Sequence, residues 1–228
     1  MTHLRRRGVI AASPPPAPDP DPGVVVQSAF ASTIGSTAAE TTVTLPETPT
    51  DGNTLVLMIV ARQSNPGPDF PAGYTLRADA RSGNSNLHVQ TKIGTKVADD
   101  DPVSLTFDFN TTGYVGVAYV ELADVSNVPD DSGGASGTDG AHVLPSLDAA
   151  GDGSLLLALW GEREGFWDDP AEPLGMELLA AEDISDLNAA SFLAAYELVD
   201  TGATGTRTAN RDSGNGRFGC CGIVLPPK

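Results

Sequence analysis

Apolar and polar residues alternate with period two through most of this chain, the signature of strands with one face inward. Val89, Thr91 and Ile93 oppose His88, Gln90 and Lys92, and Val103, Leu105, Phe107 and Phe109 repeat the pattern. Leu55–Ala61 and Leu155–Trp160 are apolar without a break, as expected of central strands buried on both sides. Further strands are predicted over Val24–Ala31, Thr41–Leu45, Tyr74–Ala80, Leu87–Gly94, Tyr114–Leu122, Val143–Leu147, Met176–Glu182, Ser191–Val199, Gly205–Ala209 and Phe218–Leu225. Ala189–Tyr196 has helix-forming composition. Its alignment with the Leu87 strand assigns it to a strand, with Phe192, Ala194, Tyr196 and Leu198 on one face. A short turn near Asp183–Leu187 is the best candidate for helix.

The second half repeats the first. Gly52-Asn53-Thr54-Leu55-Val56-Leu57 returns as Asp152-Gly153-Ser154-Leu155-Leu156-Leu157, and Pro71-Ala72-Gly73-Tyr74-Thr75-Leu76 returns as Pro173-Leu174-Gly175-Met176-Glu177-Leu178. Gly113–Val120 returns as Gly216–Ile223, at an offset of about 100 to 105 residues. Two long copies suit one sandwich rather than a solenoid of many short units. The sequence therefore predicts an all-β, antiparallel jelly-roll β-sandwich built from two pseudo-repeated Greek-key halves, 28–128 and 141–228, with two sheets of about four strands. A glycine-rich acidic loop, Asp130–Gly140, is expected between them.

Residues 1–27 read as an extended anchoring arm ahead of the 28–228 sandwich. Arg5, Arg6 and Arg7 come first, then six prolines in nine residues, beginning Pro14, Pro15 and Pro16. Such a segment favours polyproline II and cannot build a core. Its arginines suit carboxylates on a partner. The apolar stretch after them is too short for a signal peptide.

With a net charge of −17, the chain is a poor ligand for nucleic acid or an anionic membrane. Adjacent Cys220 and Cys221 point to opposite faces of a strand, which predicts free buried thiols. No Gly-x-Ser-x-Gly elbow or phosphate-binding glycine loop occurs, so the chain is read as non-enzymatic and without a cofactor. His88 is placed on the polar face of a strand and His142 in the linker region. Acidic loops at Asp99–Asp101, Asp130–Asp131 and Asp139 are candidates for structural calcium, although none has the spacing of a dedicated calcium loop. The loop after the Leu155 strand places Glu162 and Glu164 near Phe166 and Trp167, with Asp168 and Asp169 following. Rings beside carboxylates suit a glycan contact, and two carboxylates across a cleft would suit glycan hydrolysis.

The pattern Gly-Asn-Thr-Leu-Val-Leu, Pro-Ala-Gly-Tyr-Thr-Leu, Leu-His-Val-Gln-Thr-Lys, Val-Ser-Leu-Thr-Phe and Val-Gly-Val-Ala-Tyr-Val-Glu-Leu, within residues 52–122, resembles a jelly-roll module. That module belongs to surface proteins of tailed-bacteriophage and gene-transfer-agent-like particles. The resemblance implies a head decoration or spike, or a tail-fibre module, on the virion surface. It implies capsid or tail subunits as partners, and a homo-oligomer, trimeric if it follows local three-fold sites. It supplies no catalytic residues. The alternative is a carbohydrate-binding module that meets host-surface glycans.

Overall fold

The computed structural model describes residues 24–34, 39–62, 69–83, 88–109, 113–138, 141–163, 173–182, 190–210 and 216–228. These residues form antiparallel strands and contain no helix. In chain order the strands are β1 (Val24–Ile34), β2 (Ala39–Thr44), β3 (Thr54–Arg62), β4 (Thr75–Ser82), β5 (Val89–Val97), β6 (Ser104–Phe109) and β7 (Tyr114–Ala123). Then come β8 (Asp131–Gly137), β9 (Ala141–Leu144), β10 (Asp148–Ala149), β11 (Ser154–Arg163), β12 (Glu177–Glu182), β13 (Ala190–Val199), β14 (Gly202–Ala203), β15 (Arg207–Asn210) and β16 (Phe218–Leu225).

Two five-stranded sheets dominate, in the orders β1-β7-β3-β5-β4 and β8-β16-β11-β13-β12. Counting along each half, the two orders correspond strand for strand. Two-stranded ribbons, β2-β6 and β9-β15, complete the corresponding places, and β10-β14 forms a small extra pair. The apolar strands β3 and β11 occupy the centre of their sheets, as their composition predicts.

Period-two alternation explains how three apolar layers stack. Val56, Met58 and Val60 of β3 meet Leu155, Leu157 and Leu159 of β11 in a central core shared by both halves. The intervening Leu55, Leu57 and Ile59 face Val43, Leu105 and Phe107 of the β2-β6 ribbon. Leu156, Ala158 and Trp160 likewise face Leu144 and Ala209 of the β9-β15 ribbon. Each large sheet is thus covered on both faces, giving more strands than two sheets of four. Cys221 enters the central core and Cys220 the outer one, both as free thiols, in accord with their opposed directions. Burial pushes the Cys220 thiol up to about 11 and the Cys221 thiol higher still.

Three sequence expectations change. Most of the loop expected at Asp130–Gly140 is strand β8, paired with β16 in unbroken register from Asp131↔Val224 to Gly137↔Phe218. Its glycines serve close packing rather than a turn. A Cβ on Gly133 would lie 2.9 Å from Leu147, one on Gly134 2.8 Å from the Cys220 carbonyl oxygen, and one on Gly137 2.8 Å from the Phe218 ring. Second, His88 and His142 are both fully buried. Third, β13 buries both faces over Ala190–Ala195, with Phe192 and Ala194 in the central core and Leu193 and Ala195 in the outer one, while Leu198 is exposed. The single-face pattern drawn for that strand holds only for part of it.

Candidate functional site

Of the residues nominated from sequence, Arg5, Arg6, Arg7, Pro14, Pro15 and Pro16 lie outside the described residues, as do Glu164, Phe166, Trp167, Asp168, Asp169, Asp139 and the turn Asp183–Leu187. Glu162 is described. It continues strand β11 instead of starting a loop, and it is fully buried. Its carboxylate faces inward, so it does not present the surface contact assigned to it beside Trp167.

Glu162 belongs to a buried polar cluster on the outer face of its sheet. Its Oε2 lies 3.6 Å from Nε2 of His142 on β9. The imidazole stacks on Phe218, with ring centroids 4.3 Å apart and planes 22° apart. Trp160 Nε1 donates to the His142 carbonyl oxygen at 3.0 Å. The repeat held a signal for this cluster. At matching positions near the end of the central strand both halves carry a charged residue, Arg62 and Glu162, and both are buried. Thr41 holds the place in β2 that His142 holds in β9, two residues before a buried apolar side chain, and it is buried too.

A second carboxylate, Glu121 on β7, is held by three donors. Gln27 Nε2 donates at 2.5 Å, Asn53 Nδ2 at 2.6 Å and the Thr50 amide at 2.9 Å. Burial alone would raise the Glu121 pKa. The hydrogen bonds outweigh it and hold the carboxyl below its ordinary value. Gln27 also bonds the Glu47 amide and carbonyl, tying the chain leaving β2 to β1. The groove beside Glu121, about 410 Å³, is lined by Val26, Pro46 and Thr48 among others. Its one fully buried carboxylate is already engaged.

A third carboxylate joins the halves. Glu182 at the end of β12 accepts from Tyr114 Oη at 2.7 Å and from Ser32 Oγ at 2.8 Å. Burial, then the Glu182 bond, pushes the Tyr114 phenol well above its ordinary value, so it is a fixed donor rather than a nucleophile. The corresponding end of β4 makes a corresponding link, with Ser82 Oγ donating to the Gly137 carbonyl at 3.0 Å.

The acidic turns are also engaged locally. Asp101 pairs with Lys96 at 2.6 Å and accepts the Asp99 amide. Asp51 accepts the Asp100 amide, where Asp100 has φ 52°. Asp130 accepts the Ala150 amide, Asp131 the amides of Ser132 and Asp148, and Asp152 the amide and hydroxyl of Thr201. Carboxylates of this kind close turns by satisfying backbone donors. Among the described residues, no three His, Cys, Asp or Glu side chains converge as a metal site would require. No protein family, curated protein or solved structure matches the chain.

Proposed function

We propose that this chain is a structural component of a bacteriophage-like virion, exposed on the particle surface as a head decoration, spike or tail-fibre protein and anchored by its N-terminal arm. In this reading the body is one jelly-roll sandwich of two pseudo-repeated Greek-key halves, related by a pseudo-two-fold axis and joined across the central core. The supporting observation is that its described polar groups act as internal fastenings. Glu121, Glu182 and the turn carboxylates each hold one segment to another, as a rigid scaffold requires. The basic, proline-rich segment precedes β1 directly and gives such a body a tether.

The test is a deletion of residues 1–22, read by whether the chain still co-purifies with virus-like particles made by cells that carry its gene. The truncated chain should remain soluble, melt cooperatively and fail to incorporate. Normal incorporation would end the anchoring reading. Glycan binding abolished by Trp167→Ala would replace it with a carbohydrate-binding function.

A further inference from the structure

Four strands form the edges of the two large sheets, and three of them are guarded. β1 shifts register between Val25 and Gln27, and Gln27 ties its flank to Glu47. β4 shifts between Leu76 and Ala78 and carries Arg77, Asp79 and Arg81. β12 shifts between Leu178 and Ala180 and has a glutamate at each end. β8 is the least guarded, with a single charge, Asp131, at its first position and no shift of register. Ser132 to Gly137 bear no charge. Ser132, Gly134 and Ser136 are exposed. Among the described residues, no strand pairs with its outer side; β4 of the other sheet lies against its face, with the Asp79 carbonyl and Ala80 beside Gly134 and the Ser82 hydroxyl on Gly137. The glycines that close packing demands leave a flat edge almost bare of side chains.

We propose that β8 is the acceptor edge for the N-terminal segment of a second copy of this chain, residues 2–12 adding as an extra strand. The inference rests on the arm being the anchoring element. The occupant follows from its composition and position. Thr2–Ala12 contains no proline and includes Leu4, Val9 and Ile10, so it can supply a complete ladder of donors. The prolines from Pro14 to Pro22 then act as a spacer of roughly 28 Å. Arg5, Arg6 and Arg7 oppose a chain of net charge −17, and Asp130, Asp131 and Asp148 gather at the start of β8. A parallel addition sets the arginines against those aspartates and Val9–Ala12 along the glycines. The segment departs from β1, which meets β12, whereas β8 meets β4. Donor and acceptor therefore lie at diagonal corners of one body, and a double-cysteine chain separates pairing within a body from pairing between bodies.

Cysteine trapping in the full-length chain tests this, because Cys220 and Cys221 are buried. Ile10→Cys protein mixed with Ser136→Cys protein should form a mixed disulfide dimer under mild oxidation. Its yield should be about ten times that with the exposed control Thr106→Cys, reflecting effective concentration. Adding Ser132→Lys to the Ser136→Cys partner should reduce the trapped dimer toward the control. Equal yields, a Ser136→Cys homodimer, or only an internal disulfide in the double-cysteine chain would each overturn the proposal. If the 1–22 deletion blocks incorporation but no mixed dimer forms, the arm is an anchor and β8 is not its receptor. If deletion also has no effect, both readings fail.

Discussion

At the residue scale, close approach decides which side chains this fold tolerates. Gly161 sits in β11 where it crosses β3. A Cβ there would lie 2.5 Å from Val60 Cγ1 and 3.1 Å from Thr91 Cγ2. Gly161→Ala should therefore destabilise the protein by about 1–3 kcal/mol through overpacking, with the fold retained. A lower midpoint in urea with an unchanged slope would verify this. Glu121 predicts an acid effect. Its folded pKa is depressed, so its contribution is complete above the ordinary value of 4.5 and disappears as pH falls through the lower folded value. Glu121→Gln should weaken stability at neutral pH and flatten the loss below pH 4.5, as pH-resolved denaturation would register. Such roles were only partly legible in sequence. Alternation identified the inward positions of β5 and β6, but it could not distinguish a buried histidine from a solvated one. His142 alternates with Leu144, yet only the opposing Phe218 and Glu162, distant in sequence, make that position an interior one. Trp167 and Arg5 remain readings from composition.

At the element scale, strands with a strong period or an uninterrupted apolar run were readable, whereas β8 was not. Asp131-Ser132-Gly133-Gly134-Ala135-Ser136-Gly137 has turn-like composition and no apolar stripe. It is a strand because β16 supplies a ladder and its neighbours leave no room for side chains. Ala190–Val199 shows the opposite override, in which two flanking strands outweigh helix propensity. Between elements, the Glu182 bonds to β1 and β7 fasten the two sheets. Gly116 leaves the space they need, since a Cβ there would come within 2.5 Å of the Tyr114 hydroxyl. Tyr114→Phe should cost about 1.5–3 kcal/mol, the range for a hydrogen bond to a charged group. The cost should largely vanish in a Glu182→Ala background, a coupling that a double-mutant cycle measures. Tyr114 also has an alkaline consequence. Its raised folded pKa gives stability that is complete below the ordinary value of 10.0 and is lost as pH rises through the folded value. The Phe variant should lose stability less steeply above pH 10.

At the scale of the whole molecule, the repeat raises the question of whether each half is a folding unit. Each half has its own five-stranded sheet and covering ribbon, and its outer core is self-contained. The inner face is different. Val56, Met58 and Val60 are covered by Leu155, Leu157 and Leu159, and Phe30 of β1 lies 4.7 Å from Phe192 of β13, ring to ring. A separated half would expose that contiguous apolar face to water, at about 25 cal/mol per Å². The segment between the halves is also pinned by both. Thr54 and Thr95 donate to the carbonyls of Val125 and Asn127, and Ser126 donates to that of Pro226. Residues 28–128 produced alone should therefore aggregate or self-associate and bind a hydrophobic dye. Produced together with residues 129–228, they should co-purify as one soluble 1:1 complex that melts in a single transition. The intact chain should likewise unfold in one step by both tryptophan fluorescence and far-ultraviolet dichroism. Two separated transitions, or a soluble monomeric first half, would mean that the central core joins two independent bodies instead of completing one.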